Sequence, residues 1–382
     1  MKIEAIIVRE LRMRLKAPFE TSFATMCDRR ILLVEVKSEG LSGWGEVTTT
    51  EAPLYNGETT DTAWSVLDGF IVPTLLGKSV EHAADVPSLL NSIRWHEMAR
   101  AAVENALWDI EAQAKNVPLW QLLGGVRRQI DCGVSLGIQA RTEQLLTNIG
   151  RELDAGYQRI KLKIKPGRDL EVLSAVRRQY PNIKLMADAN SAYTFADLDT
   201  LRALDEFNLM MIEQPLQWDD IYEHSLLQSR LKTAICLDES IHNARHAAAA
   251  IALKACRIVN VKLGRVGGHS EARRLHDVCL DAGVPVWCGG MLESGVGRAH
   301  NIAMSSLPGF TLPGDVSASS RYWDQDIIDP PVEVAANGTI SAPSDPGLGF
   351  TVDLGRVKKL TVRSQEWKHR VQVASDPVAP KL

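Results

Sequence analysis

Five ionisable residues recur along the chain at almost constant intervals. They are Lys163, Asp188, Glu213, Asp238 and Lys262, and successive members are 25, 25, 25 and 24 residues apart. Each lies in a short apolar run, where a charged side chain is costly unless it is paired or binds a metal. The interval matches one strand-plus-helix unit, so we expect the five side chains to meet at one end of a barrel of parallel strands.

The three carboxylates of this series predict a site for a hard divalent cation. Asp188, Glu213 and Asp238 offer only oxygen ligands, which suit Mg²⁺, with Mn²⁺ as a substitute. Any one of them alone would be better explained as a helix cap or as the partner of a lysine. Glu239 is a rival ligand, but strand alternation is expected to turn its side chain away from that of Asp238.

The lysines predict acid and base chemistry beside the metal. Lys161 and Lys163 are two residues apart and should share one face of their strand, so one could hold a substrate carboxylate while the other acts as base. The alternative is a solvated stripe, continued by Lys165, on an exposed edge strand. Lys262 is expected across the barrel from Lys163. Crowding by other cations and partial burial should lower the pKa of such lysines, so that either could take a proton near neutral pH.

This combination of groups suits removal of a proton beside a carboxylate. Such a proton is a very weak acid, because the dianionic enolate that forms is unstable in water. Mg²⁺ together with Lys161 would neutralise charge that develops mainly after proton loss, and would therefore stabilise the transition state more than the bound substrate.

The apolar pattern predicts the elements that position these residues. Residues 31–37 should form a strand, and residues 98–115 a helix that ends at Asn116. Helices are also expected at 169–180 and at 270–283, the second closed by Gly283. Eight further strands are expected, at 132–138, 159–165, 184–190, 209–215, 234–240, 258–264, 284–290 and 310–315. Eight such repeats would close a barrel with its site at the carboxyl ends of the strands.

A glycine-rich segment, GGMLESGVGR at 289–298, follows the seventh predicted strand. It lacks the spacing of a dinucleotide site and, taken alone, could simply connect a strand to a helix. At this position of a barrel we expect it to contact substrate, through residues that include Gly290, Met291 and Glu293.

Composition limits the kind of partner. The chain has 382 residues, is 45% apolar and carries a formal net charge of −4. No block of like charge favours a nucleic acid or a membrane surface, so the expected partner is a small-molecule carboxylate. The six cysteines form no CxxC pair and are expected to be buried thiols. A cytoplasmic location, a homo-oligomer and a frayed tail, ASDPVAPKL, are also expected.

The motifs that carry these residues resemble the enolase superfamily, within it the muconate-lactonizing subgroup, and most closely the o-succinylbenzoate synthase and N-succinylamino acid racemase family. The likeness covers most of the chain. Its motifs, in order, are PFETSF, NALWDIEAQAKNVPLWQLLGG, RIKLKIKPG, MADANSAY, IEQPL, LDES, VNVKLGRVGG, VPVWCGGMLESGVGR and LPGDVSAS.

The resemblance implies an α/β fold in which a modified (β/α)8 barrel (126–320) is covered by an α+β capping domain built from 1–125 and 321–382. It implies that Asp188, Glu213 and Asp238 bind Mg²⁺, and that Lys163 and Lys262 form the acid/base pair with Lys161 supporting the carboxylate.

Further positions are implied around the substrate. Asn190 would lie beside the metal ligands, and Phe19, Phe23 and Tyr55 would close over the apolar part of the substrate, although aromatics in such segments are more often core residues. Arg265 matches an arginine of racemase-capable members. Ala24 departs from the glycine that relatives often carry in a mobile loop.

The activity implied is racemisation of N-succinyl or other N-acyl amino acids, dehydration of the menaquinone precursor to o-succinylbenzoate, or both. Two alternatives keep the site and change the substrate, namely a cycloisomerase of muconate type and a dipeptide epimerase. The epimerase would be expected to carry more acidic residues than the single Asp of LPGDVSAS. A non-enzymatic descendant would have no physical reason to keep burying these charges.

Overall fold

A computed structural model describes residues 1–369 of the chain. Within these residues the strands are, in chain order, β1 (Ala5–Glu20), β2 (Thr25–Ser38), β3 (Leu41–Val47), β4 (Gln129–Asp131), β5 (Gly133–Leu136), β6 (Arg159–Lys163), β7 (Leu185–Asp188), β8 (Ile212–Glu213), β9 (Ile235–Leu237), β10 (Ile258–Val261), β11 (Val286–Cys288), β12 (Ile328–Asp329), β13 (Thr339–Ser341), β14 (Thr351–Val352) and β15 (Thr361–Lys368).

The α-helices of the same residues are α1 (Thr60–Val66), α2 (Val72–Leu75), α3 (Val86–Leu89), α4 (Glu97–Ala114), α5 (Leu119–Leu122), α6 (Thr142–Asp154), α7 (Asp169–Gln179), α8 (Leu198–Ala203), α9 (Tyr222–Gln228), α10 (Ala244–Ala252), α11 (Leu263–Val266), α12 (His269–Asp281), α13 (Gly295–Ser305) and α14 (Leu354–Leu360). Short 3₁₀ or π segments occur at Leu67–Ile71, Ala83–Asp85, Phe195–Asp197, Leu204–Phe207 and Ser319–Arg321.

One antiparallel sheet joins the two ends of the described chain. Its strand order is β15-β1-β2-β3, so the last strand pairs with the first. The almost wholly buried α4 packs against it, as expected of an alanine-rich helix with little side chain to hold the backbones apart. The helix ends where the sequence predicted, because Asn116 adopts a left-handed conformation, which asparagine tolerates better than most residues.

The barrel is a parallel sheet of seven strands in sequential order, from β5 to β11. Seven of the eight predicted barrel strands are therefore confirmed, and helices α7 and α12 lie where the pattern placed them. The prediction of an eighth strand at 310–315 is wrong. The segment 310–314 forms only isolated parallel bridges, from Phe310 to Val286 and from Gly314 to Cys132. Pro313, which has no N–H to donate to a ladder, accounts for the missing strand.

These two bridges still link the last strand of the sheet to the residue before the first. The α/β class, with a modified barrel beside an α+β sheet, is thus confirmed. The small antiparallel pair of β4 with β13 ties the segment after residue 320 to the start of the barrel, and the pair of β12 with β14 lies within that segment. The domain boundaries at 125 and 320 remain our proposal.

Five of the six cysteines are buried free thiols, as expected, but Cys27 is exposed, because β2 turns it away from the core at the polar end of the strand. The expected frayed tail, ASDPVAPKL, lies outside the described residues. No helix among residues 1–369 has the length and apolar composition that crossing a bilayer requires.

Candidate active site

The barrel strands bring the five periodic residues to one level. Lys163, Asp188 and Glu213 are the last residues of β6, β7 and β8, and each pairs in register with the next across the sheet. Asp238 and Lys262 follow directly after β9 and β10. The carboxyl ends of parallel strands share one edge of a barrel, so these side chains converge as the spacing predicted.

Lys161 lies at the centre of the carboxylates. Its Nζ is 3.1 Å from Glu213 Oε2, 3.2 Å from Asp188 Oδ2 and 2.7 Å from Asp315 Oδ2. Lys163 shares its face of the strand and donates to Asp188 at 2.5 Å and to Asn190 Oδ1 at 2.6 Å. The two lysines are thus inside the barrel and do not form a solvated edge stripe.

Lys262 is bound on the opposite wall. Its Nζ donates to Asp238 Oδ2 at 2.7 Å and to the Tyr55 hydroxyl at 3.1 Å. Three strands, β7 to β9, separate the strands that carry Lys163 and Lys262. The site therefore presents one ammonium from each side, as the sequence predicted.

The electrostatics correct one expectation. Burial alone would lower the pKa of Lys262, but Asp238 and the other acidic groups around it, among them Glu239 and Glu213, together outweigh burial and the pKa is raised. The pKa of Lys161 is likewise raised, because Asp315, Glu213 and Asp188 together outweigh its burial. The prediction that cation crowding would lower the pKa is wrong for Lys262, since its ammonium faces carboxylates before it faces another cation.

The carboxylates respond in opposite directions. The pKa values of Asp188 and Asp238 are lowered although both are buried, because the cations around them, Lys163 and Lys161 at Asp188 and Lys262 and Arg265 at Asp238, outweigh burial. The pKa of Glu213 is raised by burial and by the negative charge of Asp188, which Lys161 does not compensate.

Glu239 does not turn away from the site as alternation predicted. Strand β9 ends at Leu237, so the pleat no longer applies two residues later. Glu239 Oε1 accepts a hydrogen bond from Asn190 Nδ2 at 3.0 Å, which connects it to Lys163 through the same amide. Burial and then Asp238 raise the pKa of Glu239 to about 7.

A cavity opens between the barrel mouth and the antiparallel sheet. The three lysines line it together with most of the predicted substrate-contacting residues. Those residues are Phe19, Phe23, Tyr55, Asn190, Gly290, Met291 and Glu293. The aromatic residues come from the sheet and its loops, and the others from the barrel. The cavity therefore has an apolar lid over a charged floor.

Arg265 is the predicted contact that the structure does not place in the cavity lining. It is fully buried, and its guanidinium contacts the Tyr55 hydroxyl, Asp238 and the backbone oxygens of Ile241 and Asn260. With its donors used in this way, Arg265 lies behind Tyr55 and Asp238 and orients them.

The glycine-rich segment wraps around the cavity rim. Glu293 accepts from the Met291 backbone N–H at 2.9 Å and from Asn301 at 3.0 Å, which fixes the turn before α13. Packing requires glycine at position 289, because a Cβ there would overlap the Asn260 side chain. Asn260 in turn donates to Glu213 at 2.6 Å.

Backbone strain is concentrated at the same edge. Asn190, Ser191, Gln214 and Leu292 all adopt positive φ although none is glycine. Such conformations persist only where surrounding contacts impose them, and they cluster at functional sites.

The donor chemistry of the carboxylates fits Mg²⁺, since all three are buried oxygen ligands at adjacent strand ends. In the described part of the chain, however, no three His, Cys, Asp or Glu side chains are gathered closely enough to hold a metal ion. Each predicted ligand is instead bound by a cationic side chain, Asp188 and Glu213 by Lys161 and Asp238 by Lys262. A cation would have to take over these contacts.

The sequence analysis missed Asp315, Ser135 and Tyr322, which also line the cavity. Asp315 had an available signal, because it ends the segment predicted as the eighth strand, and Lys163 and Asp188 likewise lie near the ends of their predicted strands. Ser135 and Tyr322 had none, since nothing in their local pattern distinguishes them from core residues.

Known proteins resemble this chain over most of its length. A family model described as the N-terminal domain of mandelate racemase and muconate lactonizing enzyme matches residues 2–124, and one described as enolase C-terminal domain-like matches residues 144–356. The chain is 54% identical over 362 residues to the o-succinylbenzoate synthase of Geobacillus kaustophilus, covering 94% of this chain and 96% of that protein.

Two further relatives support the same grouping. An N-succinylamino acid racemase of Thermus thermophilus is 48% identical over 362 residues, covering 95% of this chain and 98% of that protein. The crystal structure of an enolase-superfamily member from Listeria innocua superposes with a TM-score of 0.93 at 39% identity, covering 96% and 99% of the two chains.

Proposed function

This chain belongs to the mandelate racemase and muconate lactonizing enzyme family of the enolase superfamily, and we propose that it removes the proton alpha to a carboxylate to form an enolate. It is an enzyme, as its relatives at 46–54% identity are. We propose that it racemises N-succinyl or other N-acyl amino acids, forms o-succinylbenzoate, or does both.

The observation that carries this proposal is the placement of Lys163 and Lys262 on opposite walls of one cavity. Racemisation requires a base on one face of the enolate and an acid on the other. Lys262, with its raised pKa, suits the acid in one direction of the reaction. If Asp238 served as a metal ligand, Lys262 would lose its main counter-charge and release its proton more readily, as the reverse direction needs.

Lys161 is placed to bind the substrate carboxylate. It lines the cavity together with the other two lysines, and charge on the carboxylate oxygens grows after proton loss. A Mg²⁺ ion held by Asp188, Glu213 and Asp238 would add further neutralising charge to the same oxygens. The aromatic lid, Phe19 and Phe23, would exclude water from this charged floor.

The test is α-proton exchange in D₂O, followed by NMR for each enantiomer of an N-succinyl amino acid. Lys262→Ala should lose racemisation yet still exchange deuterium into the enantiomer served by Lys163, and Lys163→Ala should show the mirror pattern. Lys165→Ala is the matched control, because Lys165 is half exposed and pairs with Glu20 outside the barrel. The two-base assignment fails if either single variant exchanges both enantiomers at wild-type rates.

The same variants separate the two candidate activities. Dehydration with both proton events on one face needs only one lysine, so it should depend on Lys163 as base and acid. Lys262→Ala should slow that reaction only by removing a stabilising cation. Racemisation and dehydration are therefore to be assayed on one purified sample of each variant.

A further inference from the structure

We propose that Asp315 is a positioning residue that keeps the Lys161 ammonium at the cavity. The proposal rests on the proposed function, because it concerns how Lys161 reaches the substrate carboxylate. Three carboxylates of the described residues contact Lys161, and Asp315 is the nearest of them, at 2.7 Å, and the one that the predicted metal site does not use.

Asp315 is itself held firmly. Its other oxygen, Oδ1, accepts from Arg159 Nη1 at 2.7 Å, and Arg159 Nη2 donates to the Pro313 backbone oxygen at 2.7 Å. The backbone N–H of Asp315 donates to the Cys288 oxygen at 2.7 Å. Arg159 and Asp315 are both almost fully buried, so neither side chain can move without breaking charged contacts.

The barrel interior is shaped around this pair. The Arg159 guanidinium lies 5.0 Å from the centre of the Trp287 ring, and the Lys161 ammonium lies 4.9 Å from the same ring. A Cβ at Gly133 would lie 2.5 Å from the Arg159 guanidinium carbon, so only glycine leaves room for it. Arg159 and Lys161 are alternate residues of β6 and therefore point to the same side.

The arrangement determines which carboxylate would remain in contact with Lys161 when a divalent cation binds. Asp188 and Glu213 can bind either Lys161 or a divalent cation, and a cation on both would leave Lys161 with Asp315 as its remaining acidic partner. Without the Asp315 charge, Lys161 would be drawn to Asp188 and Glu213, where it competes with the cation and moves away from the substrate.

The test replaces Asp315 with asparagine, which keeps the shape and removes the charge. Asp315→Asn should raise the Mg²⁺ Kd measured by calorimetry about tenfold or more, and should raise KM for the substrate. The control is Asp109→Asn, since Asp109 is a buried carboxylate on α4 that accepts the backbone N–H groups of Trp44 and Leu348 outside the cavity. It should lower stability without changing the Mg²⁺ Kd or KM.

A folded Asp315→Asn with the Mg²⁺ Kd and KM of the wild type would overturn the proposal. If that variant does not fold, Asp315→Glu decides, because it keeps the charge and displaces it by one methylene. A KM raised at least about threefold supports positioning, and an unchanged KM overturns it. A wild type that neither binds Mg²⁺ nor catalyses either reaction would instead overturn the proposed function, and the positioning role with it.

Discussion

The Glu213 carboxylate is buried among like charges. It accepts from Asn260 and pairs with Lys161, yet Asp188 and burial together keep its pKa raised. A group in this position costs the folded chain free energy that a bound cation would return. The Glu213 charge is therefore expected to favour metal binding and to destabilise the metal-free folded state.

Glu213→Gln should accordingly weaken Mg²⁺ binding without weakening the fold. Glutamine can keep the Asn260 contact and removes a charge repelled by Asp188, so the metal-free variant should melt at or above the wild-type temperature. Its Mg²⁺ Kd should rise about tenfold or more. Calorimetric titration and thermal melting in chelator measure the two effects, and a metal-free variant that melts well below the wild type would contradict this account.

Single residues also show what the sequence could and could not predict. Lys163, Asp188 and Glu213 were found because they end strands, and strand ends repeat with the period of the fold. The orientation of Glu239 was missed, because alternation holds only inside a strand and β9 stops at Leu237. The Asp315 contact was missed because its partner, Lys161, is 154 residues away and no local pattern links the two.

At the scale of elements, a buried carboxylate links the antiparallel sheet to the barrel. Glu46, in β3, accepts from the backbone N–H groups of Ser294 and Gly297 at the start of α13 and from the Ser294 hydroxyl. Burial raises the pKa of Glu46 to about 7, although the bond from Ser294 lowers it. The raised pKa means that protonation favours the folded state.

The contribution of Glu46 to stability should be greatest below about pH 4.5 and should be lost as the pH rises through about 7. Glu46→Gln is neutral throughout, so its stability relative to the wild type should improve between pH 5 and pH 8, by on the order of 2 kcal/mol. Urea unfolding at the two pH values measures this difference. Glu81→Gln, at an exposed site, is the control and should show no such change. A Glu46→Gln difference that does not vary with pH would refute the assignment.

The loop between β1 and β2 shows how a local departure can be accommodated. The resemblance implied a glycine at the position of Ala24, but this residue does not adopt positive φ. The turn is closed by Thr21, whose N–H donates to the Ala24 oxygen at 2.8 Å and whose hydroxyl accepts from the Ala24 N–H at 3.1 Å. The Ser22 hydroxyl then reaches the Asn190 oxygen at 3.3 Å, so the loop contacts the barrel beside Lys163.

At the scale of the whole molecule, the cavity needs both parts of the fold. Its floor comes from barrel strand ends, and its lid from residues such as Phe19 and Tyr55 outside the barrel. The sequence predicted this division only through resemblance, since hydrophobic periodicity assigns elements but not which ones face each other. The expected homo-oligomer stays a prediction, which light scattering would test.

Chelation should abolish activity, and added Mg²⁺ or Mn²⁺ should restore it, because the predicted ligands are all carboxylates. Metal should also stabilise the folded enzyme by mass action, by about 2.7 kcal/mol at a hundredfold excess over Kd. Activity and melting temperature are to be followed in one Mg²⁺ titration of chelator-treated enzyme. The magnesium proposal would not survive full turnover in the presence of chelator.

The pairing of β15 with β1 has a consequence for synthesis on the ribosome. Strand β1 leaves the exit tunnel long before β15, which comprises residues 361–368 and is the last strand of the described chain. Pairing with β2 satisfies one side of β1, but its other side presents unpaired N–H and C=O groups until β15 has been translated. During that interval the nascent chain offers an open edge to other nascent chains. Early termination before residue 361 should leave that edge exposed permanently and favour aggregation, even when every residue of the catalytic cavity has been made.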